Sequence, residues 1–270
     1  MNRKVIFIDV DDTLLTKDKT ISPKTLQVIK DVQALGHKIV PCTGANFFTH
    51  QPRLIDTNLE YVIASNGAHI RSLKDGTVLH RDEIPTELAR KVIDAAMPHC
   101  DEFSFHADSK QRLSTLQEPL EDFLASSKLT QIVPWGRTRE TAQELLQVMK
   151  DFCKQNNLEI ANYAKAIDNP KFLEECGGAE GEFFGMDIVN SGVNKGNGVR
   201  RFCEIMNIDL ADTVSVGDGH NDLAMFDVTA INVAMGNATD ELKNAADFVV
   251  SDNNNDGVAQ AFIKLGLLTS

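Results

Sequence analysis

Short apolar runs separated by amphipathic segments predict that strands and helices alternate near the start of the chain. Residues 4–10 (KVIFIDV) are nearly all apolar and rich in β-branched side chains, which is typical of a buried strand. Residues 22–36 predict a helix, because serine and proline suit its first positions and glycine suits its end. Strands predicted at 38–42 and 61–64 complete a βαβ pattern, which favours a parallel sheet with right-handed crossovers.

The same alternation returns toward the end of the chain. Strands are predicted at 214–216, 230–234 and 248–250, and helices at 222–226, 240–246 and 257–265. The two ends of the chain therefore predict parts of one α/β domain.

The middle of the chain shows a different pattern. A hairpin is predicted at 69–80, with Lys74-Asp75-Gly76 at its turn. Helices are predicted at 85–97 and 138–156, and strands near 102–106, 159–163 and 183–189.

This change of pattern predicts two domains. Long helices mixed with hairpins and short strands favour an α+β domain that is inserted into the α/β core. We therefore predict a core of residues 1–82 and 188–270 and an inserted domain of residues 83–187.

Composition and charge narrow the class of protein and its partners. The chain has 270 residues, of which 42% are hydrophobic, so it can bury a substantial core. Its 27 Lys and Arg residues against 39 Asp and Glu residues give a net charge of −12. Such a chain repels nucleic acids and anionic membranes, and no basic run reverses this. No apolar run reaches the roughly 18 residues that a membrane-spanning helix needs.

The cysteines indicate a reducing environment. There are five of them, widely spaced and without a CxxC motif: Cys42, Cys100, Cys153, Cys176 and Cys203. An odd number in this arrangement favours free thiols over disulfides or a zinc site. The apolar stretch before Asp9 is too short for the hydrophobic part of a secretion signal. We therefore expect a cytoplasmic protein.

An acidic pair follows the first predicted strand. Asp9 and Asp11 lie two residues apart, and residues i and i+2 of a strand point to the same side. Two neighbouring carboxylates repel each other, and a cation would relieve that repulsion. Ligands of open α/β sheets also bind at the carboxyl ends of the strands. A polar turn after a strand would explain the pair equally well.

Two shorter motifs could bind a phosphate group. Thr43-Gly44 ends the second strand, where a hydroxyl and a backbone N–H next to glycine can both donate to a phosphate oxygen. Lys195 precedes a predicted helix, and a lysine at a helix entrance can bind a phosphate dianion. By itself, each motif is more typical of an ordinary turn or of a solvated surface lysine.

A loop rich in glycine and aspartate follows the strand predicted at 214–216. In this loop, GDGHND, Asp218 and Asp222 supply the hard oxygen ligands that Mg²⁺ takes. The ligand pattern of a calcium-binding EF-hand is absent. All four clusters fall at the carboxyl end of a predicted strand or at a helix start, and none falls in the inserted domain. Together, the four clusters are much stronger evidence for a functional site than any one of them alone.

With these four clusters together, the sequence resembles the haloacid dehalogenase-like phosphatases, in particular the Cof-type branch. The segment DVDDTL that starts at Asp9 is similar to the DxDxT motif of the family. Thr43 and Lys195 match its second and third motifs, and GDGHND matches its fourth. Further segments similar to this branch are SNGA at 65–68, AMGNA at 234–238, AD at 246–247 and DGVA at 256–259. The resemblance implies a Rossmann-like, doubly wound parallel-sheet core with an inserted α+β cap domain.

Two positions depart from the family pattern. Ala45 stands where many members have arginine after Thr-Gly, so any ordering role of that arginine is lost or taken over. Asp12 stands where many members have glycine. Both departures leave the two aspartates Asp9 and Asp11 in place.

The resemblance implies a magnesium-dependent phosphatase that works in two steps. Asp9 would attack phosphorus and form an aspartyl-phosphate. Asp11 would be the general acid for the leaving alkoxide and then the general base for water. The first role needs a protonated Asp11, and we expect the proximity of the two carboxyls to raise one pKa of the pair.

The resemblance also implies the groups that hold the metal and the phosphate. Mg²⁺ would be bound by the side chains of Asp9 and Asp218 and by the backbone carbonyl of Asp11. Asp222 would be either a direct or an indirect ligand. The groups expected to hold the phosphate oxygens are Thr43, the Gly44 N–H, Lys195, Asn221 and the Val10 backbone.

The inserted domain is expected to close over the site and to select the leaving group. Its candidate contact residues are His106, Arg112, Trp135 and Arg137. The expected substrate is a small phosphate monoester, such as a sugar phosphate or a phosphorylated cofactor. Two alternatives remain. One is a sugar phosphomutase, which shares this core, and the other is a non-catalytic phospho-metabolite sensor, although a sensor need not retain a nucleophile.

Overall fold

The chain divides into two compact units. The structure, a computed structural model, describes residues 3–107, 120–136, 138–161 and 184–268. The core unit comprises Met1–His80 and Asn194–Ser270, and the inserted unit comprises Arg81–Val193. Whereas the sequence predicts that the core ends at residue 82 and resumes at residue 188, the structure has it end at 80 and resume at 194.

The described strands and helices of both units are numbered together in chain order. The described strands are β1 (Val5–Asp9), β2 (Lys38–Cys42), β3 (Tyr61–Ala64), β4 (His69–Ser72), β5 (Val78–Arg81), β6 (Glu102–Ala107), β7 (Leu129–Gly136), β8 (Leu158–Ile160), β9 (Phe184–Gly185), β10 (Ile188–Asn190), β11 (Thr213–Gly217), β12 (Ile231–Ala234) and β13 (Phe248–Val249). The described α-helices are α1 (Pro23–Ala34), α2 (Phe47–Leu54), α3 (Thr86–Ala96), α4 (Leu120–Ser126), α5 (Arg139–Gln155), α6 (Lys195–Met206), α7 (Leu223–Phe226), α8 (Asp240–Ala245) and α9 (Gly257–Lys264).

The core unit is built on a sheet in the order β13-β12-β11-β1-β2-β3-β4-β5. The strands from β13 to β3 run parallel, and β4 is antiparallel to β3. The chain winds outward from β1 to β3 on one side and from β11 to β13 on the other, so the strand order reverses between β1 and β11. Such a reversal opens a crevice at the carboxyl ends of the strands, where ligands bind. The predicted doubly wound α/β core is confirmed.

The hydrophobic pattern explains the elements beside this reversal. All five residues of β1 and all five of β11 are buried, as expected for strands that are covered on both faces. Helix α1 begins at the predicted cap, because Ser22 Oγ accepts the N–H of Thr25 at 3.0 Å. Gly36 adopts φ +86° just beyond its end. Ile29 and Val32 of α1 belong to the same buried apolar cluster as Ile6 and Ile8, which lie on one face of β1.

Helix α2 is not predicted by the sequence pattern. Pro52 lies inside it, and proline normally ends or kinks a helix, so the helical signal is interrupted. The helix nevertheless has a good cap, because Asn46 Oδ1 accepts the Phe48 N–H at 3.0 Å. Its buried residues are Phe47, His50 and Leu54.

The inserted unit has an antiparallel sheet in the order β6-β7-β10-β8, with β9 paired to β7. Helices α3 and α5 contact this sheet, and the unit has its own buried apolar cluster, which includes Phe103, Phe105, Ile132 and Leu145. The predicted α+β class of the insertion is therefore confirmed.

Two details of the inserted unit differ from the sequence prediction. The strand predicted at 183–189 is split into β9 and β10, and β10 pairs with β7 and β8. Because of this pairing, residues 188–190 belong to the inserted sheet and not to the core. The sequence also predicts neither α4 nor β7, since Pro134 inside β7 weakens the strand signal.

The described cysteines carry free thiols. They are Cys42, Cys100, Cys153 and Cys203, and the predicted thiol Cys176 lies outside the described residues. Among the residues that the structure describes, none of the helices combines the length and the apolar character that crossing a membrane requires.

Candidate active site

Lys195 joins the carboxyl ends of two strands through a buried ion-pair network. Its Nζ donates to Asp9 Oδ1, at the end of β1, at 2.5 Å and to Asp222 Oδ1, in the loop after β11, at 2.6 Å. Lys195 is 1% exposed, and both carboxylates are buried. The sequence leaves open whether this lysine is a solvated surface residue. Its burial between two carboxylates makes it the cation of an internal site.

The start of α6 determines the position of Lys195. Asn194 caps the helix, because its side chain accepts the Asn197 N–H at 2.8 Å. Gly196 lies against α7, where a Cβ would collide with the carbonyl oxygen of Ala224. The Asn194-Lys195-Gly196 motif thus combines a cap with a close helix contact, which holds the lysine at the end of β1.

Asp222 organises the glycine-rich loop after β11. Its Oδ2 accepts the backbone N–H groups of Asp218 at 3.0 Å and of Gly219 at 2.9 Å, while its Oδ1 accepts from Lys195. A Cβ on Gly217 would lie 2.5 Å from Asp222 Oδ2, so this loop requires glycine there. Both carboxylate oxygens of Asp222 are therefore engaged within the protein.

Asp218 completes a cluster of three carboxylates. Oxygens of Asp9, Asp218 and Asp222 lie within 4.8 Å of one another, and Thr13 Oγ1 donates to Asp218 Oδ1 at 2.6 Å. Lys195 is the ammonium that contacts this cluster within the described residues, so two negative charges stay uncompensated. Hard carboxylate oxygens with this excess charge match a divalent cation. The cluster could therefore hold a metal ion.

Burial and mutual repulsion change the protonation of these groups. Burial raises the pKa of Asp9 well above its usual range, Lys195 opposes this, and Asp222 and Asp218 add to it. Burial and the charge of Asp222 raise the pKa of Asp218 to about 7. Burial acts to lower the pKa of Lys195, but Asp222 and Asp9 outweigh it, so the pKa rises and the lysine stays charged. A bound divalent cation would remove the repulsion among the carboxylates.

Asp11 lies in a different environment from Asp9. Its Oδ2 is 2.8 Å from His50 Nε2, and its Oδ1 is 3.3 Å from Lys19 Nζ. Burial acts to raise the pKa of Asp11, but His50 and Lys19 outweigh it and lower the pKa to about 2.

The structure therefore corrects the expectation for this acidic pair. The sequence predicts that Asp9 and Asp11 share one side and that their proximity raises one pKa of the pair, as a protonated Asp11 would require. Strand β1 ends at Asp9, however, and Asp11 lies in the turn that follows, so the alternation of a strand does not apply to it. The pKa of Asp9 is instead raised by burial and by Asp222 and Asp218.

The second motif lies at the same edge of the sheet as Asp9. Cys42, the last residue of β2, pairs in register with Asp9, so Thr43 follows directly beside it. Thr43 is buried, and its Oγ1 accepts the Ala45 N–H at 3.0 Å. The position of Thr43 is compatible with the predicted role in holding a phosphate group.

Asn66 connects three of the loops at this edge. Its Oδ1 accepts from Asn221 Nδ2 at 3.1 Å, and a Cβ on Gly44 would lie 3.0 Å from the same oxygen. Asn66 itself has φ +52°, a conformation that asparagine adopts more readily than most residues. The second motif, the SNGA segment and the fourth motif therefore meet around one side chain.

The loop after β1 is held by residues from the end of the chain. Asn237 Nδ2 donates to the carbonyl of Asp12 at 2.8 Å, and Asn253 Nδ2 donates to the carbonyl of Leu15 at 2.8 Å. Val10 is buried, and its carbonyl accepts the Leu15 N–H at 2.9 Å. Asp12 has φ +59°, which explains why glycine suits this position and why aspartate can replace it.

Sequence reasoning missed Thr13, His50 and Asn66, which contact predicted site residues. Thr13 is the last residue of the DxDxT motif, and Asn66 belongs to the SNGA segment, so a signal for both was present. His50 carried no signal, because it is an isolated histidine in a helix that the pattern does not predict.

The candidate contact residues of the inserted unit are only partly described. Arg112 and Arg137 lie outside the described residues. His106 is partly exposed on β6, in register with Gln131, and Trp135 Nε1 donates to Ser104 Oγ at 3.1 Å. Their contact with a substrate stays a prediction.

Known proteins similar to this chain are phosphatases. The sequence model of the haloacid dehalogenase-like hydrolase family matches residues 6–262. The chain is 27% identical over 268 residues to the putative phosphatase YkrA of Bacillus subtilis. That alignment covers 99% of this chain and 100% of YkrA. It is 26% identical over 274 residues to the pyridoxal phosphate phosphatase YbhA of Escherichia coli, in an alignment that covers 96% of this chain and 97% of YbhA.

Solved structures share the same fold. BT1666 of Bacteroides thetaiotaomicron, a phosphatase of the haloalkanoate enzyme superfamily, matches with a TM-score of 0.78 at 22% sequence identity. The match covers 98% of this chain and 96% of that chain. At this identity, the likeness concerns the fold alone.

Proposed function

This chain belongs to the haloacid dehalogenase-like hydrolases and is a phosphatase of that family, and from this premise we propose that it hydrolyses a small phosphate monoester in the presence of Mg²⁺. In this proposal Asp9 is the nucleophile and forms an aspartyl-phosphate. Asp11 is the general acid of the first step and the general base of the second.

The observation that carries the proposal is the position of Asp9, 2.5 Å from Lys195 and beside Asp218 and Asp222, where the strand order reverses. A carboxylate can approach a phosphate dianion only where cations offset the repulsion. Lys195 supplies one positive charge, and the carboxylate cluster suits a divalent one. A purely structural ion pair would not need Asp218 in the cluster, where repulsion and burial raise its pKa.

The hydrogen bonds of the cluster support a division between direct and indirect metal ligands. In the described part of the chain, Asp9 Oδ2 and Asp218 Oδ2 have no hydrogen-bond partner, whereas both oxygens of Asp222 are occupied. We therefore assign the side chains of Asp9 and Asp218 as direct ligands. The backbone carbonyl of Asp11 is proposed as a third ligand on the family resemblance. Asp222 acts indirectly, because it holds Lys195 and the loop of Asp218. When bound, Mg²⁺ offsets the negative charge of the phosphate and the carboxylates.

The reaction that we propose has two balanced steps. In the first, an oxygen of Asp9 forms a bond to phosphorus while the bond between phosphorus and the ester oxygen breaks. The ester oxygen takes a proton from Asp11 and leaves as an alcohol. In the second, Asp11 accepts a proton from water, whose oxygen attacks phosphorus and releases inorganic phosphate from Asp9.

Asp11 must carry a proton before the first step, although its pKa is about 2 in the structure. A phosphate dianion next to Asp11 disfavours the ionised carboxylate, and its arrival therefore raises the pKa. We propose that Asp11 becomes protonated in the complex with the substrate and not before it.

In this proposal the phosphate oxygens are held by donors from three loops and from the start of α6. These donors are the side chains of Thr43, Lys195 and Asn221 and the backbone of Val10 and Gly44. Asn66 supports this arrangement, because its Oδ1 accepts from Asn221 Nδ2 at 3.1 Å. Fixed donors of this kind stabilise the charge of the transition state without reorganisation.

The substrate class follows from similarity and charge. The relative YbhA is named for pyridoxal phosphate, a small phosphorylated cofactor. On this similarity we propose a small phosphorylated metabolite, either a phosphorylated cofactor or a sugar phosphate. The net charge of −12 disfavours polyanions such as nucleic acids.

A phosphate-release screen over small phosphate monoesters, with and without Mg²⁺, tests the proposal. We expect phosphate release from at least one monoester only with Mg²⁺, and a loss of kcat/KM of about 10⁴-fold or more in Asp9→Asn. Asp31→Asn removes an exposed carboxylate on α1 and should keep full activity. Undiminished activity of Asp9→Asn would remove the nucleophile assignment.

The two alternatives predict different products. A phosphomutase would interconvert two isomers of a sugar phosphate without releasing phosphate. A sensor would bind a phosphorylated metabolite tightly without turnover. Either result would overturn the proposal, whereas acid-stable labelling of the wild type but not of Asp9→Asn by a substrate with radioactive phosphorus would support it.

A further inference from the structure

His50 is a buried histidine that contacts the carboxyl of Asp11. It is 3% exposed, and its Nε2 lies 2.8 Å from Asp11 Oδ2. The other ring nitrogen, Nδ1, is also buried and has no hydrogen-bond partner among the residues that the structure describes. A polar ring buried with one unsatisfied nitrogen costs free energy, so its presence calls for a reason other than stability.

The helix that carries His50 is anchored on both sides of it. Phe47, one turn earlier, packs with the apolar side chains of β3, and Leu54, one turn later, belongs to the main core cluster. The guanidinium of Arg71 lies 4.8 Å from the ring centroid of Phe47. Phe47, His50 and Leu54 form one buried stripe of α2, in which an apolar residue would be expected at the middle position.

Asp11, in contrast, is not held by burial. Its side chain is 44% exposed, and that of its other partner, Lys19, is 45% exposed at a distance of 3.3 Å. A long, exposed ion pair of this kind restricts a side chain weakly. The contact with the rigidly placed His50 is therefore what holds the Asp11 carboxyl in one orientation.

We propose that His50 is a positioning residue for Asp11. The Nε2–H donates to Asp11 Oδ2, because an ionised carboxylate only accepts hydrogen bonds. Oδ1 has only the long, exposed contact with Lys19, which can open so that this oxygen exchanges the proton with the leaving group and with water. This inference rests on the proposed role of Asp11 as general acid and base.

The substitution His50→Leu tests the inference, because leucine fits the apolar stripe and removes both ring nitrogens. We expect kcat/KM for an alkyl phosphate to fall about 10- to 100-fold, since a misplaced proton donor slows the departure of a poor leaving group. With p-nitrophenyl phosphate, whose leaving group needs no proton, the loss should stay below about threefold. His50→Gln keeps a side-chain N–H donor and should restore most of the activity on the alkyl phosphate.

A double-mutant cycle with Asp11→Asn separates positioning from a merely structural role. If His50 acts through Asp11, adding His50→Leu to Asp11→Asn lowers kcat/KM by less than about twofold, because coupled residues are not additive. Equal losses from His50→Leu in both backgrounds would overturn the proposal. An equal loss for alkyl and aryl phosphates would do the same.

His37→Leu is the matched control. His37 is also buried, at 7% exposure, and its Nδ1 accepts the Lys4 N–H at 3.0 Å, at the other end of β1. The control should lower the melting temperature, because it leaves that N–H without its partner, and should leave the ratio of alkyl to aryl activity unchanged.

Failure of this inference can be distinguished from failure of the proposed function. A wild type without Mg²⁺-dependent phosphate release, or an active Asp9→Asn, would contradict the function itself. A wild type that passes both tests, combined with an unaltered ratio of alkyl to aryl activity in His50→Leu, would contradict the positioning role alone.

Discussion

Asp9 and Asp11 are separated by a single residue and yet lie in opposite environments. Asp9 is buried against Lys195 and two other carboxylates, and burial raises its pKa. Asp11 is half-exposed and contacts His50 and Lys19, which lower its pKa to about 2 against the effect of burial. These directions are the reverse of what a nucleophile and a general acid require. Mg²⁺ held by Asp9 and a phosphate dianion beside Asp11 would reverse both, and the two carboxyls could then divide the work of nucleophile and proton carrier. That division comes from the tertiary surroundings, since the residue type is the same.

The largest effect on stability and activity is expected for the loss of Lys195, the ammonium that contacts Asp9. Lys195→Met would leave Asp9 and Asp222 buried without their ammonium. We expect the free energy of unfolding of the metal-free protein to fall by roughly 3–5 kcal/mol, measured by urea denaturation. The loss of one donor to the phosphate should also lower kcat/KM about 10²- to 10³-fold.

Arg201→Met is the control for this measurement, because it removes an exposed cation from the same helix, α6. It should change the free energy of unfolding little. If Lys195→Met were as stable as this control, the buried network would not hold the ends of β1 and β11 together.

On the Asp11 side, we expect a large loss of activity and a small loss of stability near neutral pH, because Asp11→Asn also removes the charge that His50 and Lys19 contact. Asp11→Asn should lower kcat/KM for an alkyl phosphate about 10²- to 10³-fold, and less for p-nitrophenyl phosphate, because it removes the proton donor. The lowered pKa of Asp11 stabilises the fold at pH values above the unfolded-state pKa, and this stabilisation is lost as the pH falls toward about 2. An equal loss of activity for every leaving group would contradict the acid role.

The raised pKa of Asp218 predicts a pH-dependent effect of Mg²⁺ on stability. Its pKa is about 7 in the folded protein, against about 3.9 in an unfolded chain. Between these values the folded state binds more protons, so the stability of the metal-free protein falls as the pH rises through that window. Mg²⁺ should therefore raise the melting temperature more at about pH 8 than at about pH 5.

Thermal unfolding with EDTA or with Mg²⁺ measures this effect. Asp218→Asn should flatten the pH dependence, because the substituted residue does not titrate. A Mg²⁺ shift of the same size at both pH values would show that the cation does not act on the carboxylate cluster.

The smallest expected effect concerns Lys19. Lys19→Met removes the long, exposed contact with Asp11, and we expect kcat/KM for any substrate to change by less than about threefold. Set beside His50→Leu, this variant separates the buried contact from the exposed one. A loss at Lys19 as large as that at His50 would mean that charge, and not a rigid hydrogen bond, orders Asp11.

Much of the fold could be predicted because its signals are local. Strand β1 is a continuous apolar run, and α1 is bounded by a serine cap and a glycine, so burial and capping are legible along the chain. Helix α2 and strand β7 were missed, since Pro52 and Pro134 interrupt their patterns. Tertiary packing accommodates both prolines, and a local sequence pattern contains no information about that packing.

The motifs of the candidate site could also be identified from the sequence, because each is a short local segment. The family that they indicate is confirmed. Strand ends at one edge of a parallel sheet bring distant residues together, so Asp9, Lys195 and Asp218 could be expected to meet. Their protonation could not be predicted in this way, because it depends on burial and on the charges around each group.

By itself, the sequence determined that this chain is an α/β hydrolase with an inserted domain and with an acidic motif after its first strand. Apolar periodicity, caps and motifs are properties of residues that are close in sequence, so they can be identified without a structure. Only the tertiary structure decided that Lys195 is the buried partner of Asp9 and that Asp11 faces His50, 39 residues away. Those contacts depend on how α2 and α6 pack beside β1, and packing is decided by the whole core and not by any segment of it.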